Sequence, residues 1–326
     1  LNYYSKEITF DGQLGKIYNN AQLMGKIDLP TNIPTSFRFI ASISTFDYYK
    51  KDKLFSRNDK PSFNSKDERF VKLMVALPFL ANKRAEFSLG YGQLEDNYFQ
   101  SSVIDFDKDR SDKSTYNLLG GSIGFYGSTL NTRQYATKGY LEKLIAQVFT
   151  GRERFEPGNP QEWYSPSPQE RQSWLQISYM KEAYHTMGPK FTLGWMAEAL
   201  YSSKNFSENY TATMMQAGEF APTPHSKLMY NEAFRANQYV AAGIKPIYVL
   251  NDMFQFRTEF YGFTPIFPIK KNALNKAYYG KAFSRFEYMG EVSVICHLPF
   301  GAISAYVNHY SSPRREWNVG MTIGWQ

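Results

Sequence analysis

Gly120-Gly121-Ser122-Ile123-Gly124 has the spacing of a serine hydrolase's nucleophile elbow. That motif works when a sharp strand-to-helix turn exposes the serine and aims backbone N–H groups at the oxyanion. Here Phe125-Tyr126-Gly127-Ser128 follows, which continues a strand and offers no helix. Ser122 is therefore read as a small residue on a strand face, not a nucleophile. The four histidines, His185, His225, His297 and His309, stand singly at unrelated spacings. Metal sites need clustered ligands, so each is read as structural or solvated, and no metal or cofactor is expected. Asp105, Asp107 and Asp109 alternate along one segment. Calcium could use such oxygens, but an EF-hand loop also needs a glycine and a glutamate at set offsets, so a solvated acidic loop is expected. The single cysteine, Cys296, falls in an apolar alternating stretch and is expected to be a buried or lipid-facing thiol. The chain is not expected to be an enzyme.

The elements that position these residues follow from composition and periodicity. The chain has 326 residues, 43% of them hydrophobic, with 25 Tyr and 26 Phe, yet its mean hydropathy is −0.48. No run of about 18 apolar residues is present, so helical spans are excluded. A transmembrane β-barrel reconciles abundant aromatics with a polar mean: each strand is apolar on one face, and aromatic girdles mark both interfaces. Net charge is +7 with the basic residues dispersed. That suits an anionic lipid surface and gives no dense patch for nucleic acid.

Period-two alternation dominates. Trp317, Val319, Met321, Ile323 and Trp325 share one face, opposite Asn318, Gly320, Thr322 and Gly324. Phe254, Phe256 and Phe260 lie opposite Gln255, Arg257, Glu259 and Tyr261, and Val292, Val294 and Cys296 opposite Glu291, Ser293 and His297. About fourteen strands are predicted, near 5–14, 18–29, 34–48, 70–81, 84–98, 115–129, 139–151, 171–185, 190–203, 236–248, 252–262, 283–298, 301–310 and 314–325. Short turns near 30–33, 81–84, 131–138, 186–189, 249–251 and 299–300 alternate with long polar segments near 49–69, 99–114, 152–170, 204–235 and 263–282. Short turns on one side and long loops on the other are the topology of a bacterial outer-membrane barrel. The expected fold is all-β: one antiparallel up-and-down barrel domain over 1–326.

Several segments resemble the outer-membrane superfamily typified by BamA and TamA. Leu130-Asn131-Thr132-Arg133 leading to Ala136-Thr137-Lys138-Gly139 is similar to the family's Arg then Pro-Thr-x-Gly turn, with Ala136 in place of proline. Arg133, Thr137 and Gly139 carry that likeness. The long segment 204–235 ends in Phe234-Arg235-Ala236-Asn237, where the family's infolded loop carries Arg-Gly-Phe or Arg-Gly-Tyr. Arg257-Thr258-Glu259-Phe260 matches the place where the family sets an inward acidic residue. The resemblance implies that loop 204–235 enters the lumen and that Arg235 pairs there with Glu259, because an unpaired buried charge is costly. Strand counts around these landmarks agree with the family's, so residue 5 would open the third strand of sixteen, with the first hairpin upstream, or else the barrel is smaller than the family's. Trp317 and Trp325 on the last strand are expected to serve as girdle residues, Trp325 standing one place before the end where the family usually closes on an aromatic.

Within the superfamily, Pro222-Thr223-Pro224-His225-Ser226-Lys227 with Asn231-Glu232 and Phe234-Arg235-Ala236-Asn237-Gln238 resembles barrels fused to patatin-like lipase domains. That likeness implies an outer-membrane barrel that anchors, and helps to translocate, an N-terminal lipase domain absent from residues 1–326. A BamA-like insertase and a passive porin stay open as alternatives. The partners implied are outer-membrane lipid, the barrel assembly machinery during insertion, and a membrane-protein complex or homodimer; nucleic acid is not among them.

Overall fold

Alternating side chains force an extended backbone, and tight polar turns force neighbouring strands to pair. The computed structural model of the chain, which describes residues 5–15, 18–29, 32–48, 64–100, 108–159, 171–299, 301–312 and 317–325, shows the result. Its strands begin with β1 (Ser5–Gln13), β2 (Tyr18–Leu29), β3 (Thr35–Tyr48), β4 (Asn64–Leu80) and β5 (Lys83–Tyr98). They continue with β6 (Asp112–Ser128), β7 (Gly139–Glu156), β8 (Arg171–Thr186) and β9 (Phe191–Ser202). Helix α1 (Tyr210–Gln216) and the two-residue strands β10 (Gly218–Glu219) and β11 (Arg235–Ala236) follow within the long connection. After β12 (Gln238–Val249) and β13 (Phe254–Pro265) comes a small hairpin, β14 (Ile269–Lys271) and β15 (Ala277–Tyr279). The chain finishes with β16 (Glu287–Leu298), β17 (Gly301–Tyr310) and β18 (Trp317–Trp325).

Fourteen of these form one antiparallel up-and-down sheet, ordered β1 to β9, then β12, β13, β16, β17 and β18. The alternation read from the sequence holds in the packing. On β13, Gln255, Arg257, Glu259 and Tyr261 are buried while Phe254, Phe256 and Phe260 stand exposed. On β16, Glu287, Met289, Glu291, Ser293 and Ile295 are buried, and Tyr288, Val292 and Val294 are exposed. A polar face turned inward and an apolar face turned outward is the inverse of a water-soluble sheet and the pattern of a lipid-embedded barrel. Trp317, Val319, Met321 and Ile323 extend that outer apolar face on β18.

The wall is uneven in height. β4, β5, β6 and β7 run for 17, 16, 17 and 18 residues, well beyond the roughly ten that cross a bilayer. The sequence-based bounds for three of them were shorter because their ends on the long-connection side are polar. Asn64–Arg69, Asp112–Ser114 and Arg152–Glu156 continue the strands there. Ion pairs steady this polar extension, between strands for Lys113 with Glu95 at 2.8 Å and along β4 for Lys66 with Glu68 at 2.6 Å. The segment given as 263–282 is likewise not all loop, since β14 and β15 pair within it.

Candidate functional site

The long connection after β9 lies against the inner face. Asn209 caps α1 by accepting from the Ala212 N–H at 2.9 Å, and its amide donates to the Tyr98 hydroxyl on β5 at 2.7 Å. The Tyr116 hydroxyl on β6 is 2.8 Å from Ser207 Oγ and 3.1 Å from Glu153 Oε1 on β7. Further along, Thr223 and His225 reach Glu291 on β16, and His225 also reaches Ser304 on β17. One connection thus touches β5–β7 and β16–β17, strands far apart in sheet order, so the sheet must curve round it. Its apolar side chains merge with the wall: Phe220, Ala233 and Phe234 pack with Tyr239, Tyr261, Phe263, Met289 and Tyr310.

Lys204, where the connection leaves β9, is a buried cation of this region. Its ammonium sits 4.7 Å from the Tyr116 ring centre and 5.0 Å from that of Trp174, and it donates to Gln216 Oε1 at 3.2 Å. Burial strips its hydration and pulls its pKa down to about 8, although Asp96 and Glu153 favour the charged form. Burial pushes the Glu232 carboxyl and the Tyr210 and Tyr230 hydroxyls of the same connection up.

Arg235 is 5% exposed, but its carboxylate partner is Glu219, at 2.6 Å, and not the expected Glu259. The reason is local. β10 and β11 pair Glu219 directly opposite Arg235, so the carboxylate is held beside the guanidinium by the backbone itself. Arg235 Nη1 also approaches the Met215 and Ala217 carbonyls at the end of α1, at 3.3 and 3.5 Å, satisfying acceptors that a helix terminus leaves open. Arg235 therefore braces the connection internally. Glu259 takes Arg257, two residues earlier on the same inward face, at 2.9 Å, and accepts from Tyr261 at 2.8 Å. The alternation had already placed Arg257 and Glu259 on one face, which was the available signal.

The turn between β6 and β7 is a second inward structure. Asn131 Oδ1 accepts from the Thr137 and Lys138 N–H groups at 3.0 and 3.1 Å, and its amide donates to Thr137 Oγ1 at 3.1 Å. Gly139 has φ +90°, and a Cβ there would lie 2.1 Å from the Thr129 carbonyl oxygen, so no other residue fits without moving the chain. Arg133 is exposed. Tyr135 and Ala136 point the turn at the wall: Arg257 donates to the Ala136 carbonyl at 2.9 Å and Gln255 to that of Tyr135 at 3.2 Å. Nothing in the turn's polar composition signalled this reach.

The remaining sequence candidates scatter. Ser122 lies within β6, its hydroxyl 2.6 Å from that of Ser88 on the neighbouring strand. His185 accepts from the Trp195 indole at 3.3 Å, His297 lies 2.7 Å from Gln255 Nε2, and the His309 ring packs on Trp317 with centroids 4.7 Å apart. Asp109 accepts from Asn159, whereas Asp105 and Asp107 lie outside the described residues. Trp325 pairs through its backbone with Gly301. Cys296 is partly buried on the outward side of β16. The residue that sequence reasoning passed over is His225. With Ser304 and Glu291 it matches the order of an acyl-transfer triad. Ser304, however, is 1% exposed, and its oxygen already meets the Tyr135 hydroxyl at 2.8 Å, so the geometry is that of a fastening.

The fold and its inward segments define a class: an antiparallel up-and-down β-barrel of the outer-membrane type with a long connection packed on its inner face. No protein-family model matches the sequence, and no curated protein matches it. Among solved structures, BamA from Haemophilus ducreyi lacking POTRA domains 1–3 superposes with a TM-score of 0.62 over 97% of this chain, at 11% identity. This chain spans 63% of that BamA structure's length. CdiB from Acinetobacter baumannii gives a TM-score of 0.48 at 9% identity, over 94% of this chain and 50% of CdiB. At such identities the BamA likeness carries the fold and nothing finer.

Proposed function

We propose that the protein is a bacterial outer-membrane barrel whose connection 203–237 closes the lumen at rest, and that it anchors an N-terminal patatin-like lipase domain and assists its passage. The observation that carries the resting closure is the attachment of that connection to opposite walls, at Tyr98 and Tyr116 on one side and at Glu291 and Ser304 on the other. Desolvated polar contacts of this kind are costly to break singly. The anchoring role draws on the wording of residues 222–238, which resembles barrels carrying such a domain. A porin would need an open lumen, so conductance separates the readings: purified protein in planar bilayers should show only rare, small openings, and a steady large conductance would overturn the closed-lumen reading. For the anchored domain, lipase activity of the longer polypeptide should partition with the outer membrane and be released when the barrel is deleted.

An insertase is the second reading. It is favoured by the BamA-like fold. Accumulation of unfolded outer-membrane proteins on depletion would support it over anchoring.

A further inference from the structure

Two segments enter the barrel from opposite ends, and they meet at one side chain. The connection 203–237 comes from the side of the long connections. The β6–β7 turn comes from the side of the short ones. Ser304 on β17 touches both: its Oγ lies 2.8 Å from the Tyr135 hydroxyl of the turn and 3.3 Å from His225 Nε2 of the connection. Nδ1 of the same imidazole is 2.8 Å from Glu291 Oε1, while Thr223 donates to Glu291 Oε2 at 3.0 Å.

A single proton arrangement satisfies the whole row. Tyr135 donates to Ser304, Ser304 donates to Nε2, and Nδ1–H donates to Glu291 in the tautomer assigned from this network. The imidazole is also stacked on Tyr306, at 14° between planes, so it cannot turn away without losing ring contact. The Tyr135 backbone has φ +55°, a left-handed conformation that is unfavourable for a non-glycine residue and persists only where surroundings impose it. It is held by the Ser304 contact and the Gln255 bond to its carbonyl, together with the Arg257 guanidinium, which lies 5.8 Å from its ring centre and donates to the Ala136 carbonyl.

From this we infer that Ser304 couples the two ends of the barrel: withdrawing the connection releases the β6–β7 turn, and displacing the turn loosens the connection. Once His225 leaves, the Ser304 hydroxyl loses its acceptor inside a buried site, and its favourable contact with Tyr135 is weakened with it. Tyr135 then has less to hold it in its strained backbone, and the turn relaxes outward. Run in reverse, a ligand or domain bound to the turn on the short-connection side gains a handle on closure at the other mouth. The inference rests on the proposed role of the connection as the barrel's closure.

The test uses the full chain in detergent or liposomes, with Cys296→Ser as background. A reporter cysteine is placed at exposed Arg133 on the turn, and trypsin cleavage after exposed Lys227 reports the connection. Tyr135→Phe, which deletes one hydroxyl on the turn, should raise cleavage at Lys227 several-fold. His225→Ala, which alters only the connection, should raise maleimide labelling at position 133 by a similar factor. The double variant should add little to either single one, because both break the same row. Heat-modifiable mobility on gels confirms that each variant remains folded, and Ser304→Ala should reproduce both effects at once. If Tyr135→Phe leaves Lys227 cleavage unchanged, or the two effects simply multiply, the ends are independent and the inference falls. Wild-type conductance is scored separately: free conduction overturns the closed-lumen function, whereas labelling alone decides the coupling.

Discussion

The first and the last thirds of the sheet obey the same alternation but live in different surroundings. Along β1 nearly every residue is exposed on both faces, and the inward charges of β2 meet one another near solvent, as in Lys26 with Asp28 at 2.7 Å. Along β12, β13 and β16 the inward side chains are buried under the connection and the β6–β7 turn. Lys245 pairs with Glu182 at 3.2 Å and Arg257 with Glu259 at 2.9 Å, with Lys245 and Arg257 each 3% exposed. Alternation therefore builds the wall everywhere, and the inward segments decide where polar contacts carry weight. The same ion pair is a solvated decoration in one region and a structural fastening in the other.

Mutagenesis can break or sharpen that contrast. Arg257→Ala strands Glu259 and the Ala136 carbonyl in a buried site and should destabilise the barrel by about 3–5 kcal/mol. The check is the temperature at which the folded gel band is lost. Lys26→Ala on β2 should stay within about 1 kcal/mol of wild type in the same assay, and equal losses would erase the contrast between regions. Next in size, a double-mutant cycle on Arg235 and Glu219, read from urea dependence of connection cleavage, should give coupling of about 2 kcal/mol. The corresponding cycle on Arg235 and Glu259 should give none.

Gly139→Ala should cost about 1–3 kcal/mol, since it combines a positive φ with a backbone clash. Gly121→Ala, whose Cβ would meet nothing nearer than 3.7 Å, is the matched control and should fold normally. Smallest is a pH effect at Lys204. Its pKa of about 8 in the docked state is below the usual lysine value near 10.4, so docking releases a proton between these limits. Below pH 8 both states are protonated and docking bears the full cost of the buried charge. Closure should therefore tighten as pH rises from 7 to 9.5, by roughly 25-fold in protection from protease. Lys204→Met should flatten that dependence.

Strand positions and the alternation of short and long connections could be read directly, because both rest on near-neighbour periodicity. The ends of β4, β6 and β7 could not, since polar residues continue those strands where hydropathy suggests a loop. The inward contacts were harder still. No spacing links His225 to Glu291 and Ser304, 66 and 79 residues away, so only the curvature of the sheet around the connection brings them together. The Arg235 partner was misassigned for a different reason: a two-residue ladder of Glu219 with Arg235 is too short to leave a periodic trace.

The tall segment of wall formed by β4–β7 has its own consequence. Paired strands of 16 to 18 residues raise the long-connection rim on the β4–β7 flank, whereas β12, β13, β16 and β17 run for only 10 to 12. A large molecule nearing that mouth meets hydrogen-bonded ribbon bearing both signs of charge on this flank and the β14–β15 hairpin on the flank of β13 and β16.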